Sequence, residues 1–327
     1  MSGRKSKTAF PFRGDLYNQT PVTDTEPGDN GIAIRASATA NLLLDSVDRY
    51  DGADLAAWLA GANPPGNDFT IQRGKALLYG YFARIAINQI NLDYALPTVL
   101  APGTTWDGNN TFAIQNTIGP VSADIVIPEG YYSAASLAAE IQLQLRASPA
   151  GSAASICAVD PVTQKIFISN GGDAAVNFLL PAAVGPLELR TYRLLGFDAA
   201  GTANVAGVIL ANRTPCLLYT TYVDMRSEAL TLYQRVKDAD TSFYDKTAVF
   251  ARVYLTPPGQ AYGLTGPIYD GPFTITVDYN TPKQCKWSPS QAIYNLDFQL
   301  FDDQGQLLPW SKYWPTEFHI SFLASET

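Results

Sequence analysis

The chain has 327 residues, 46% of them hydrophobic and 12% aromatic, which is enough for one large β domain or two domains with a sizeable core. Its net charge of -8 hides an asymmetry: four of the 22 basic residues, Arg4, Lys5, Lys7 and Arg13, precede the first acidic residue, Asp15, leaving 18 against 30 acidic residues beyond it. An acidic body is a poor nucleic-acid surface, no apolar run has the length of a membrane span, and no apolar stretch follows the basic start, so the chain reads as neither membrane-spanning nor classically secreted.

Residues 1–36 are polar and interrupted by Pro11, Pro21, Pro27 and Gly28, which predicts an extended arm. Two readings of it stand: a solvated terminus, or a basic arm that touches an anionic partner such as a membrane face, a nucleic acid or an acidic protein groove. Residues 39–46 read as the first core strand, followed by a short helix over 52–61 and a turn at Pro64, Pro65 and Gly66. The segment 77–92 is a long strand in which Ile85 and Ile87, then Ile90 and Leu92, alternate across a break at Asn88 and Gln89, the pattern of a β-bulge.

Strands over 111–115 and 123–127 come next, and then a strand-turn-helix unit. Ile125 and Ile127 alternate with Asp124 and Val126, Pro128 and Gly130 stop the strand, and Ser133 or Ser136 is placed to cap a helix. Leu137, Ile141 and Leu145 recur at a spacing of four, so this helix has one apolar stripe and should pack on a sheet. Residues 155–159 and 165–169 read as a hairpin, 176–180 as a strand, and 192–197 as a short closing segment. Together they form a compact α+β module from 107 to 213. The β pattern resumes at 216–223, 248–255, 273–277, 294–300 and 317–323, with a turn at 302–305.

This order predicts a mainly β protein: a single jelly-roll β-sandwich over 37–106 and 214–327, interrupted by the α+β module, behind an N-terminal arm over 1–36. Twenty-five Gly and 22 Pro, dispersed along the chain, suit many short strands joined by turns.

Little in the chain points to catalysis. The common hydrolase, zinc-protease and phosphate-loop signatures do not occur. His319 is the only histidine and stands out of phase with Phe318, Ile320 and Phe322, so it faces solvent or an interface. Cys157, Cys216 and Cys285 are widely spaced and read as buried free thiols, as in a reducing compartment. Asp238 with Asp240, and Asp302 with Asp303, are candidate cation ligands or acid/base pairs, and the favoured reading for both is solvated turn residues. No cofactor, metal or enzymatic activity is expected. Arg13, Gly14 and Asp15 match a tripeptide that integrins recognise, a three-residue coincidence unless the arm faces outward.

The chain resembles the penton or minor capsid proteins of virophages, Polinton-like viruses and related double-stranded DNA viruses of eukaryotes. The resemblance is carried by residues 41–49, by the Ile127-to-Tyr132 turn with its helix, by 194–197, and by 298–308 followed by 317–326. It implies a virion protein made inside the host cell, with the inserted module projecting outward and five copies closing an icosahedral vertex beside capsomers of the major capsid protein. The arm would run inward or beneath neighbouring capsomers, through Arg4, Lys5, Lys7 and Arg13, toward an inner membrane or nucleic acid. Trp310, Tyr313 and Trp314 are then candidate interface anchors, or else ordinary core. Within the same class stand a cement protein and a small double-jelly-roll major capsid protein. Outside it stand a carbohydrate-binding sandwich, with Tyr131, Tyr132 and the tyrosines of 254–269 on its face, and a glycosidase using a carboxylate pair. A host receptor or glycan is a compatible partner of a vertex protein.

Overall fold

The computed structural model describes residues 39–50, 66–72, 84–104, 106–231, 249–255, 271–286, 295–310 and 316–325. Eight strands build two four-stranded antiparallel sheets. In chain order they are β1 (Thr39–Asp45), β2 (Asp68–Gln72), β3 (Arg84–Tyr94), β11 (Tyr222–Arg226), β12 (Val249–Tyr254), β13 (Phe273–Lys286), β14 (Asn295–Phe301) and β15 (Glu317–Ser325). One sheet runs β1-β15-β3-β13 and the other β12-β11-β14-β2. Counted along the sandwich alone, the first sheet takes strands one, eight, three and six, and the second takes five, four, seven and two. Each sheet thus joins strands from both ends of the chain, the order of a jelly roll.

Alternation drives this packing. On β14 the residues Leu296, Phe298 and Leu300 are buried while Asn295 is exposed, and on β15 Phe318, Ile320 and Phe322 are buried while His319 is exposed. Phe298 and Phe318 bring the sheets together, with ring centroids 5.3 Å apart, and Phe69 of β2 lies 5.8 Å from each.

The break expected in the long strand is present. Gln89 pairs with Ser321 and Ile87 with Phe322, so Asn88 is the extra residue on β3 and the inward phase moves from Ile85 and Ile87 to Ile90, Leu92 and Tyr94. Opposite it on the other edge, the register with β13 also slips, between Asp278 and Lys283.

Between β3 and β11 the chain builds two further sheets. One runs β5-β4-β8-β9, from β4 (Thr111–Asn116), β5 (Val121–Val126), β8 (Phe178–Leu180) and β9 (Thr202–Ala203). The other runs β10-β7-β6, from β6 (Ile156–Val159), β7 (Ile166–Ser169) and β10 (Val208–Leu210). Helix α1 (Ala134–Ala147) is closed at its start by a reciprocal Ser133/Ser136 capping box. Its stripe of Leu137, Ile141 and Leu145 is fully buried. Gln142 Oε1 accepts from the Cys157 amide of β6 at 3.2 Å, and Arg146 Nε donates to the Ser155 carbonyl at 2.9 Å, so the helix is tied to the hairpin sheet.

Three expectations are corrected. The closing segment at 192–197 is the end of a ten-residue helix, α2 (Pro186–Leu195), which starts on Pro186 and stops where Gly196 turns to φ 82°. The strand expected at 216–223 begins only at Tyr222. Ahead of it the backbone bonds to non-strand partners: the Cys216 amide donates to the Leu194 carbonyl at the end of α2, and the Thr221 amide donates to the Asp303 carboxylate. Cys216 is accordingly half-buried, while Cys157 is fully buried, and burial pushes the Cys157 thiol up beyond its ordinary range. The helix expected over 52–61 and the carboxylates Asp238 and Asp240 lie outside the described residues, as does the side chain of Cys285.

Candidate functional site

Most of the residues singled out in the arm and near the C-terminus, namely Arg4, Lys5, Lys7, Arg13, Gly14, Asp15, Tyr313 and Trp314, lie outside the described residues. Trp310 is described and is half-buried inside its own chain. Its indole lies over Gly66, where a Cβ would come within 2.1 Å of Nε1, and the Arg49 guanidinium stands 5.5 Å from its ring. His319 faces outward as expected, with Nδ1 2.9 Å from Asp45 and Nε2 3.9 Å from Asp93. Among the described residues no group of three or more His, Cys, Asp or Glu side chains is arranged to hold a metal ion, and no helix is long and apolar enough to cross a membrane.

Tyr131 and Tyr132 are anchored by their hydroxyls, which donate to the carbonyls of Ala95 at 2.5 Å and Pro128 at 3.0 Å. Tyr254 is different: it is 64% exposed at the edge of its sheet, edge-on to Tyr222 at 5.9 Å. Beside it Arg252 stacks on Tyr222 at 4.0 Å and grips the Asp224 carboxylate through two bonds of 2.6 and 2.7 Å.

The most built polar site lies where the inserted segment meets the sandwich. Asp302 and Asp303 follow β14 in a turn closed by Gly305, which takes φ 78°. Neither carboxylate is a solvated turn group, which corrects the sequence reading. Asp302 is buried, and Arg190 of α2, itself 3% exposed, donates to it through Nη2 at 2.5 Å. Arg193, one helical turn on, grips Asp303 through two bonds of 3.0 and 2.6 Å.

Further groups close the junction. Arg190 also donates to Gln306 Oε1 at 3.1 Å, Gln306 Nε2 donates to Asp107, and the Tyr219 hydroxyl donates to the Asp107 carbonyl. The Arg190 guanidinium lies 4.6 Å from the Tyr219 ring. Both crossovers of the inserted segment, at Asp107 and at 219–222, therefore meet α2 and the turn after β14 in one polar cluster. Sequence reasoning missed Arg190 and Arg193 because their partners are more than 100 residues away. The local signal was their spacing of three on a helix bounded by Pro186 and Gly196.

Burial pushes the Asp303 carboxyl up, but Arg193 together with the amide and hydroxyl of Thr221 outweighs it and holds the carboxyl below its ordinary value. A carboxyl depressed in the folded state stabilises the protein above its unfolded pKa, and that contribution is lost as pH falls through the folded value. Asp303→Asn is therefore expected to lower the urea midpoint at pH 7, with the deficit shrinking below about pH 4. Urea titrations at pH 7 and pH 3 check this, and an equal deficit at both would contradict it.

No family model matches the chain, and no curated protein does. In structure it is similar to the mavirus penton protein, over 89% of this chain and 100% of that one, at 12% identity and a TM-score of 0.47. It is also similar to a chain in the structure of the Sputnik virophage, over 89% of this chain and 98% of that one, at 11% identity and a TM-score of 0.38.

Proposed function

We propose that the chain is a structural capsid protein, the penton that closes the fivefold vertices of an icosahedral virion, and that it works by assembly and not by catalysis. The observation that carries this reading is the strand order: eight strands in jelly-roll sequence, with all of β4 to β10 inserted between the third and fourth. That is the architecture implied by the resemblance of residues 41–49, 127–132, 194–197, 298–308 and 317–326 to virophage penton and minor capsid proteins. Fold by itself leaves function open, so the reading rests on that strand order together with the resemblance.

In this reading residues 107–213 are the outward module, residues 37–106 and 214–327 stand in the shell, and residues 1–36 are the arm. Arg4, Lys5, Lys7 and Arg13 would contact an inner membrane or nucleic acid, or a neighbouring capsomer. Tyr313 and Trp314 are the proposed aromatic anchors toward neighbours. A closed ring of five uses a head-to-tail interface, so each copy offers two different faces.

The native mass of the purified protein, by light scattering or native mass spectrometry, tests the assignment. A pentamer is expected. A stable trimer would overturn it in favour of a major capsid protein. A monomer that also fails to join a shell when mixed with the major capsid protein would remove the capsid reading.

A second reading, a glycan-binding surface, is favoured by Tyr254 alone, whose exposed ring sits beside the Arg252–Asp224 pair. Loss of signal on a glycan array on Tyr254→Ala, with the native mass unchanged, would support it.

A further inference from the structure

We propose that the Asp302–Asp303 turn and the Arg190–Arg193 face of α2 form a latch that sets the orientation of the inserted segment on the sandwich. The inference does not depend on the capsid reading. An inserted segment hangs on two crossovers, and two covalent tethers constrain its position but not its angle. The latch adds a third, non-covalent point at the turn after β14, remote in sequence from both crossovers.

Its chemistry is directional. Arg193 holds Asp303 by two parallel bonds, a geometry that a sliding or rotated helix would break. Arg190 and Asp302 are both buried, with side-chain exposures of 2% and 0%. Arg190 Nε and Nη1 are buried and find no acceptor among the described residues. A buried pair with unmet donors gains little stability over an apolar packing of the same volume. Its effect is then on which arrangement is adopted, because every rotated arrangement would leave a guanidinium and a carboxylate buried apart. Asp303 extends the hold to the outgoing crossover by accepting from the amide and hydroxyl of Thr221, at 2.9 and 2.8 Å. Gln306 extends it to the incoming one through Asp107 at 2.8 Å.

Native-state hydrogen exchange on the full chain tests this. In Asp302→Asn/Asp303→Asn, amides of α2 and of residues 216–222 are expected to exchange about 10- to 100-fold faster, while those of β3 and β15, which open only with the whole fold, accelerate clearly less. Arg193→Gln leaves the buried pair in place and is expected to give the same local pattern at the lower end of that range; it decides the question if the double variant does not fold. Equal acceleration across the sandwich and the inserted segment would reduce the latch to ordinary stability and overturn the proposal, as would unchanged exchange at residues 216–222.

Discussion

Phe298→Ala is expected to destabilise the protein by about 3–5 kcal/mol, the range for removing a buried aromatic ring from a close-packed core. Phe298 has no exposed surface and stands where the two sandwich sheets meet. Its ring lies 5.8 Å from Phe69 and 5.8 Å from Phe250 in its own sheet, and 5.3 Å from Phe318 in the other. The loss therefore combines the transfer energy of the ring, the void left between two sheets that cannot close on it, and three edge or tilted ring contacts. Phe318 and Phe69 are themselves 5.8 Å apart and held in separate ladders, so neither can move in to fill the space without breaking strand pairing. Urea denaturation followed by tryptophan fluorescence and by circular dichroism checks the size of the effect. Tyr254→Ala is the matched control: an aromatic ring on an edge strand, 64% exposed and paired across the strand with Tyr222 alone among the described residues, whose loss should change stability by no more than about 1 kcal/mol. A loss below about 1.5 kcal/mol at Phe298 would mean that the sheets are not packed through these rings.

The sequence made the local features legible, because local features follow from period and punctuation. The slip in alternation at Asn88 marked the bulge, since one extra residue must exchange the faces of everything after it. The spacing of Leu137, Ile141 and Leu145 behind two serines marked α1 with its cap. Features set by distant partners were not legible. Residues 216–221 are as apolar as a strand, with Leu217, Leu218 and Tyr219 buried, yet their backbone turns to α2 and to Asp303 instead of a ladder. Asp302 and Asp303 look like any acidic turn, and only their contact with Arg190 and Arg193, 112 and 110 residues away, removes them from water. Buried carboxylates of this kind cannot be told from exposed ones by composition, since the two differ only in the partner.

The same logic applies to a second buried pair at the end of the sandwich from which the inserted segment leaves, where Glu317 pairs with Asp93 beside the end of β3 and Arg49→Met is expected to cost about 3 kcal/mol. Arg49 lies in the single turn of 3-10 helix, Ser46–Tyr50, that follows β1, and its side chain is 1% exposed. Nη1 and Nη2 meet the two Glu317 oxygens at 2.6 and 2.7 Å, and Nη1 donates to the Ser46 carbonyl at 2.7 Å. The guanidinium sits 5.5 Å from the rings of both Phe69 and Trp310, so cation–π attraction adds to the ion pair. Glu317 also accepts from the Ser46 hydroxyl, whose oxygen in turn accepts from the Phe318 amide at 2.9 Å. One arginine thus joins the end of the first strand to the start of the last, next to the paired residues Asp45 and His319. Methionine keeps much of the volume against the two rings but leaves the carboxylate without its cation. Breaking a buried pair from one side costs about 3–5 kcal/mol, and the low end applies because Glu317 retains 20% exposure and its bond from Ser46. Arg49→Met/Glu317→Leu removes both charges and is expected to recover most of the loss, since two apolar groups of similar size replace the pair. If the double variant is as unstable as the single one in urea, the cost lies in the lost contacts with Phe69 and Trp310, and the ion pair is incidental to closing β1 onto β15.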